Sequence, residues 1–501
     1  MNDSASLAYG PLDGRHAARR AALACMVTLA VALGIGRFAF TPLLPLMLHG
    51  SAFGQPQIDI QQGGWLASFN YAGYFVGAVS CAALRVEPAR MVRAGLAATV
   101  LLTLAMGVTS QFWVWAAVRF VAGAVSAMTF VFASQWGLRR LAELRAPEWG
   151  GVIYTGPGAG IVGTGLLVTA ADGYGPATGW IGFGLVAAVL SIAVWPVFSG
   201  RGHGPRAYAA GSDGKAAATE FTVTEAMGRD AAVTTQAAAS PSAATHAVQT
   251  QAAASPSVGT HAVRTQAAAS QAAASQAAAS QAALNHTTSN HAPSNSTPSN
   301  STPTKTTAHP ADAFWLVLLY GIPGFGYIIT ATFLPVIARH ALPGSSWPDL
   351  FWPMFGAALI VGALLAARLP VHWDNRSLLA GCYVLQAGGI ALGIVWPTAG
   401  GFSLGSILIG LPFTAITLFA MREARRLRGD DAAALMGYAT AAYGVGQIVG
   451  PLVAAPIAGH SGSFSPALWL AAAALLVGAA GLIGVARITR GRARMPDCGC
   501  S

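Results

Sequence analysis

The sequence predicts an all-α polytopic membrane protein, with twelve transmembrane helices in two pseudo-symmetric six-helix bundles. Three observations carry this. Only 9% of the 501 residues are charged and 54% are hydrophobic, with a mean hydropathy of +0.53, whereas soluble domains carry about 25% charged residues. Twelve apolar segments each reach the ~20 residues that cross a ~30 Å hydrocarbon layer. The basic residues fall almost entirely in alternate loops.

The spans run over 21–48, 63–84, 89–109, 112–136, 149–171, 178–199, 312–338, 348–369, 377–396, 402–421, 432–458 and 466–487. The first follows Arg19-Arg20 and is far longer than the roughly 7–15 apolar residues of a secretory signal, so it is expected to be retained. The fifth and eleventh are rich in glycine. Trp113, Trp115 and Trp180 are expected in the interfacial belt.

Of 28 Lys plus Arg, Arg15, Arg19 and Arg20 precede the first span; Arg85, Arg90 and Arg93 follow the second. Arg139, Arg140 and Arg145 follow the fourth, Arg368 and Arg376 the eighth, and Arg422, Arg425, Arg426 and Arg428 the tenth. The segment between the sixth and seventh spans and the tail hold the other basic residues of that side. The opposite side has Arg339. Translocation disfavours Lys and Arg, so both termini are expected in the cytoplasm. The pI of 9.7 then records topology, not a nucleic-acid partner. Cys25, Cys81 and Cys382 fall in spans, and Cys498 and Cys500 in a tail where thiols stay reduced.

Domain organisation follows: a cytoplasmic N-terminus over 1–20, a six-helix bundle over 21–200, a linker over 201–310, a second bundle over 311–488 and a tail over 489–501. The linker holds a doubled fifteen-residue unit, "QAAASPSAATHAVQT" and "QAAASPSVGTHAVRT", then three "QAAAS" units. Such Ala/Ser/Thr/Pro composition cannot bury a core and is expected to be disordered. The two bundles echo one another. Gly34, Gly36, Leu44 and Pro45 match Gly324, Gly326, Leu334 and Pro335. Arg139-Arg140-Leu141 matches Arg425-Arg426-Leu427, and Gly151, Gly158 and Gly160 match Gly437, Gly444 and Gly446. Two six-helix repeats around a midplane site are the plan of an alternating-access transporter.

On these features the chain resembles the major facilitator superfamily. Arg119-Phe-Val-Ala-Gly123 is similar to its R-x-x-x-G signature, and Gly156-Pro157-Gly158-Ala159-Gly160 to its G-P-x-x-G signature, echoed by Gly446-x-x-x-Gly450-Pro451. The loop signature G-x-x-x-D-R-x-G-R is eroded: counted from Gly77, its acid is Cys81. Within the superfamily, "GIGRFAFTPLLP" (Gly34–Pro45) and "GWLASFNYAGY" (Gly64–Tyr74) resemble the YbfB/YjiJ family. The resemblance implies a transporter whose first and fourth helices line a central cavity. It also implies a rocking interface where the fifth and eleventh helices approach, with Gly156, Pro157, Gly160, Gly446, Gly450 and Pro451 as its hinge and packing residues.

Arg37 and Arg119 stand inside spans, and a charge at membrane depth is by default functional. The 18 Asp and Glu fall in loops, tails or helix ends, so an uncompensated guanidinium points to an anionic substrate that suits its planar fork. Two further readings stay open. Arg37 satisfies carbonyls that Pro42 and Pro45 leave without an amide partner, and Arg119 is a strut on neighbouring backbone. Thr41, Asn70, Tyr71, Tyr74, Ser126, Tyr327, Tyr443 and Gln447 are the neutral candidates for the cavity, with Tyr327 at the position matching Arg37.

The function expected is secondary active transport of a small organic anion through a cavity containing Arg37 and Arg119. Its alternatives are a drug or metabolite efflux pump and a transport-incompetent sensor. The expected partners are the small-molecule substrate, a coupled proton or counter-anion, and membrane lipid; the protein is expected to be a monomer without cofactor or metal. No nucleophile–base pair or metal cluster occurs in the spans, so no enzyme activity is expected.

Overall fold

In a computed structural model the described residues are 11–49, 58–81, 84, 86–170, 175–199, 310–366, 368–370, 372–429 and 432–493. The expected linker, apart from Pro310, lies outside them, as do Cys498 and Cys500. The helices are α1 (Gly14–Leu48), α2 (Ile60–Ser80), α3 (Pro88–Val108), α4 (Phe112–Glu143), α5 (Gly150–Ala170) and α6 (Pro176–Ser199) in the first half. The second half holds α7 (Pro310–Ala341), α8 (Pro348–Ala366), α9 (Asn375–Val395), α10 (Ala399–Arg428), α11 (Ala432–Ser461) and α12 (Ser465–Ala493). Eleven are long and apolar enough to cross a membrane. The other, α2, has 21 residues, but Gln61, Gln62, Asn70, Tyr71 and Tyr74 make it more polar.

Several helices are broken where their sequences demand it. In α1, residues Ala30–Ile35 are π-helical, with amides reaching five residues back: Gly36 N–H to Val31 at 2.9 Å and Phe38 N–H to Leu33 at 3.0 Å. Regular α-helix resumes at Phe40. Pro157 has no amide to give the preceding turn, and α5 breaks between Ile153 and Gly156; α10 breaks between Gly410 and Phe413, at Pro412.

Glycines set the helix spacing. A Cβ on Gly34 would stand 2.3 Å from Gly160 Cα, so α1 and α5 cross in near backbone contact. The repeat does the same: a Cβ on Gly324 would stand 2.3 Å from the Tyr443 carbonyl, and one on Gly446 2.5 Å from that of Gly321, joining α7 to α11. Gly73, Gly77 and Gly123 form a matching seam between α2 and α4. Close approach at small residues is how helices associate without a hydrophobic driving force between them.

Across the halves, α5 packs on α8 and α2 on α11. A Cβ on Gly165 would meet Pro353 at 2.5 Å, and one on Gly64 would stand 2.9 Å from the Pro451 carbonyl. This corrects the expected meeting of the fifth with the eleventh helix: each crosses to the other half, but onto α8 or α2. Gly156 and Gly160 spend their close approach on α1, and Gly446 and Gly450 on α7.

The expectation for the tryptophans is also corrected. Trp113 is 74% exposed, as a belt residue would be, but Trp115 and Trp180 are buried, with the Trp115 indole donating to the Met106 carbonyl at 3.1 Å. Among the acids, Glu423 near the end of α10 is fully buried. It accepts from Arg376 Nε at 2.6 Å and from Arg426 at 2.7 and 2.8 Å, and Asp312 of α7 stands 3.6 Å from Arg376. This cluster ties α7, α9 and α10 together. In the first half Gly137, against Cys25 and Ile153, holds the position matching Glu423.

Candidate functional site

Pro42 decides the local chemistry of α1. It has no N–H for the Phe38 carbonyl, and the Thr41 amide turns to that carbonyl instead, at 3.2 Å. The Arg37 carbonyl, four residues before Thr41, is left without its helical donor. Arg119, crossing on α4, fills the gap: one terminal nitrogen donates to the Arg37 carbonyl at 3.2 Å and the other to that of Gly36 at 3.5 Å. Its guanidinium lies 4.7 Å from the centre of the Phe40 ring, and only 2% of the residue is exposed. The carbonyls freed by the break are therefore held by Arg119, not by Arg37.

Arg37 points elsewhere. It donates to Gln447 Oε1 of α11 at 3.0 Å, a bond between the two halves. Its guanidinium stands over the Tyr74 ring at 4.1 Å and near Tyr71 and Phe38, each at 5.1 Å. Its buried Nε has no partner. The Gln447 amide nitrogen in turn donates to the Tyr327 hydroxyl. Arg37 and Tyr327, at matching positions of the two repeats, thus converge on one glutamine.

Arg37 lines a central cavity of about 190 Å³. Of the sequence candidates, Tyr74, Tyr443, Gln447 and Pro157 line it as well. The walls are strongly aromatic, with Phe38, Phe75, Phe130, Tyr154, Tyr320 and Phe413, while Thr414, Thr417 and Thr440 supply hydroxyls. Tyr443 stacks between Tyr320 at 5.0 Å and Tyr327 at 6.0 Å. Among the described lining residues Arg37 is the one that carries a charge. The wall aromatics Phe38, Phe75, Phe130, Tyr154, Tyr320 and Phe413 and the threonines were missed in the sequence, because nothing in an apolar span marks which face meets a cavity.

The remaining candidates are spent outside the cavity. Asn70 donates to the Arg119 carbonyl at 2.8 Å, and Ser126 to that of Gly123 at 2.8 Å. Thr41 donates to the Ala331 carbonyl at 3.0 Å, Tyr71 shares a hydrogen bond with Thr332 at 3.0 Å, and Ser68 donates to the Ile448 carbonyl at 2.9 Å. These last three cross from one half to the other and form a seal.

Position along the helices shows what the seal divides. On α1 the order is Arg37 in the cavity, Thr41 in the seal, then Pro45 and Leu48 in a second recess. On α11 it is Thr440, Tyr443 and Gln447, then Ile448 and Pro451, then Pro456 and His460. The second recess, about 880 Å³, is lined also by Asp59, Arg339 and His340. Arg339 is paired there with Asp349 at 2.5 Å. The central cavity extends from Arg37 the other way, to Ala78, Gly151, Ala366 and Thr417, toward the helix ends that bear Arg139, Arg140, Arg425 and Arg426.

The comparisons with known proteins agree with this plan. Residues 29–230 and 251–483 match the family model described as "Uncharacterised MFS-type transporter YbfB". A Streptomyces lividans protein named "Chloramphenicol resistance protein" is 34% identical over 166 residues, 29% of this chain and 38% of that protein's length. A repeated fold, with twelve helices among the described residues around a central cavity sealed on one side, and a family match spanning both halves lead to one assignment: the chain belongs to the YbfB family of major facilitator superfamily transporters.

Proposed function

We propose that the protein is a secondary active transporter that works by alternating access and moves a small organic anion bound at Arg37. One observation carries the reading. A guanidinium at membrane depth lines the central cavity with an unpartnered Nε, and its side-chain hydrogen-bond partners among the described residues are neutral, the Gln447 amide oxygen and the Tyr74 hydroxyl. Buried charge is costly until it is compensated, and a carboxylate supplies both charge and matched acceptors. The second guanidinium expected for the substrate, that of Arg119, is instead engaged with backbone, so the substrate of this reading is a monoanion. The seal at Thr41, Tyr71 and Ser68 then closes one side while the cavity is reached from the other. By the bias of basic residues that open side is the cytoplasm.

A second reading, efflux of uncharged aromatic drugs, is supported by the aromatic walls and by the name of the Streptomyces lividans relative. Cationic drugs fit poorly beside Arg37. A thermal-shift screen of the purified full-length protein against acetate, hexanoate, benzoate, tetraphenylphosphonium and chloramphenicol separates these. The anion reading expects carboxylates to raise the melting temperature of the wild type and to lose that effect in Arg37→Ala. Stabilisation by chloramphenicol that survives Arg37→Ala would favour efflux of neutral aromatics.

A further inference from the structure

Gln447 has an unusual place. It lies on α11, in the half opposite Arg37, is 5% exposed, and lines the cavity. Its carboxamide orientation is fixed from both sides. A guanidinium only donates, so the amide oxygen must face Arg37, and the NH2 then faces the Tyr327 hydroxyl oxygen. The oxygen therefore sits where a carboxylate oxygen would bond the guanidinium, but it brings no negative charge.

We propose that Gln447 is an internal stand-in for the transported anion. Its Oε1 occupies the Arg37 guanidinium until a substrate carboxylate displaces it. The inference rests on Arg37 being the anion-binding group. Displacement is favourable because a carboxylate neutralises the buried guanidinium and can accept two of its N–H groups side by side, where the amide oxygen is a single neutral acceptor. It also severs the hydrogen bond from Arg37 to the opposite half, so substrate arrival is read at the interface that must move.

The stand-in has a second consequence. A carrier with a cavity cation and no cavity acid would have to reorient with a bare guanidinium whenever it returned unloaded, and burying that charge opposes the step. Gln447 gives the guanidinium a partner during the return. Net transport is then possible, where otherwise only exchange of one anion for another would be.

Full-length protein, with sodium benzoate as the probe, tests this. Gln447→Glu places a permanent carboxylate on Arg37. It is expected to weaken benzoate binding by about tenfold or more and to raise the melting temperature, the rise vanishing in Arg37→Ala/Gln447→Glu. Gln447→Leu removes the competing oxygen and is expected to tighten benzoate binding about threefold or more, while the ratio of net benzoate efflux to benzoate–benzoate exchange in liposomes falls about tenfold. The stand-in role is overturned if Gln447→Glu binds benzoate as the wild type does, or if Gln447→Leu lowers exchange and net flux in parallel. Benzoate that fails to stabilise the wild type, or that stabilises Arg37→Ala equally, overturns the anion reading itself and this inference with it.

Discussion

Arg37 and Arg119 are one residue type in one membrane region with opposite duties. Both are 6% exposed or less, and their separation comes from a single missing amide at Pro42. The carbonyls of Gly36 and Arg37 take up the Arg119 fork, and Arg37 is left to face the cavity. Arg119→Leu should therefore destabilise the protein, by about 2–4 kcal/mol for two buried acceptors left unmatched, without changing which ligands stabilise it. Arg119→Lys should rescue little, since an ammonium cannot span two carbonyls as a planar fork does. Melting curves of both variants with and without benzoate check this; a loss of benzoate stabilisation in a well-folded Arg119→Leu would place Arg119 in the binding site after all. Both arginines were legible in the sequence as buried cations. Their division was not, because it depends on which carbonyl the helix break frees and on where α4 crosses α1.

At the scale of helices, glycine positions determine spacing. Gly34 and Gly160 meet between α1 and α5, and Gly324 and Gly446 make the equivalent crossing between α7 and α11. The same fifteen-residue helix Gly156–Ala170 also carries Gly163, where an added Cβ meets nothing within 4 Å. Gly160→Ala must push α1 and α5 apart and should cost about 1–3 kcal/mol. Gly163→Ala should be neutral or slightly stabilising, because alanine favours helix by roughly 1 kcal/mol over glycine. Thermal denaturation of the two variants side by side is the check, and equal effects would mean that the crossing tolerates a methyl group. The repeat of these glycines was visible in the sequence as a spacing match. Their partners were not, since each helix touches several others and a glycine does not state which. The two misplaced tryptophans have the same cause: Trp115 and Trp180 sit near helix ends, as belt residues do, but on the face turned toward neighbouring helices.

Over the whole molecule, α1, α7 and α11 carry cavity, seal and second recess in that order along the chain, and α2, running the other way, carries them in reverse. The cross-half bonds of the seal are few and involve single hydroxyls: Thr41, Tyr71 with Thr332, and Ser68. Each is worth about 1 kcal/mol, so the alternating access proposed above would break the seal at small cost. On the cavity side, Thr440→Cys offers a reporter. Cys25, Cys81 and Cys382 are buried, and Cys498 and Cys500 are best changed to serine in the same background. A membrane-impermeant thiol reagent should label Thr440→Cys about tenfold faster in inside-out than in right-side-out vesicles if the basic face is cytoplasmic. Benzoate should slow the labelling. Faster labelling in right-side-out vesicles would reverse the orientation.

The sequence by itself determined the helical membrane fold, the duplication, the side on which basic residues collect, and the presence of two buried cations. These are properties of composition, length and spacing, and they survive any detailed packing. Only the tertiary structure decided that Arg37 faces a cavity, that Arg119 is bonded to backbone, that Gln447 joins Arg37 to Tyr327, and that Glu423 is buried between arginines. Each of these depends on residues tens to hundreds of positions apart meeting at hydrogen-bond distance. In an apolar span the lateral face a side chain presents is set by neighbouring helices, and no periodicity against water records it.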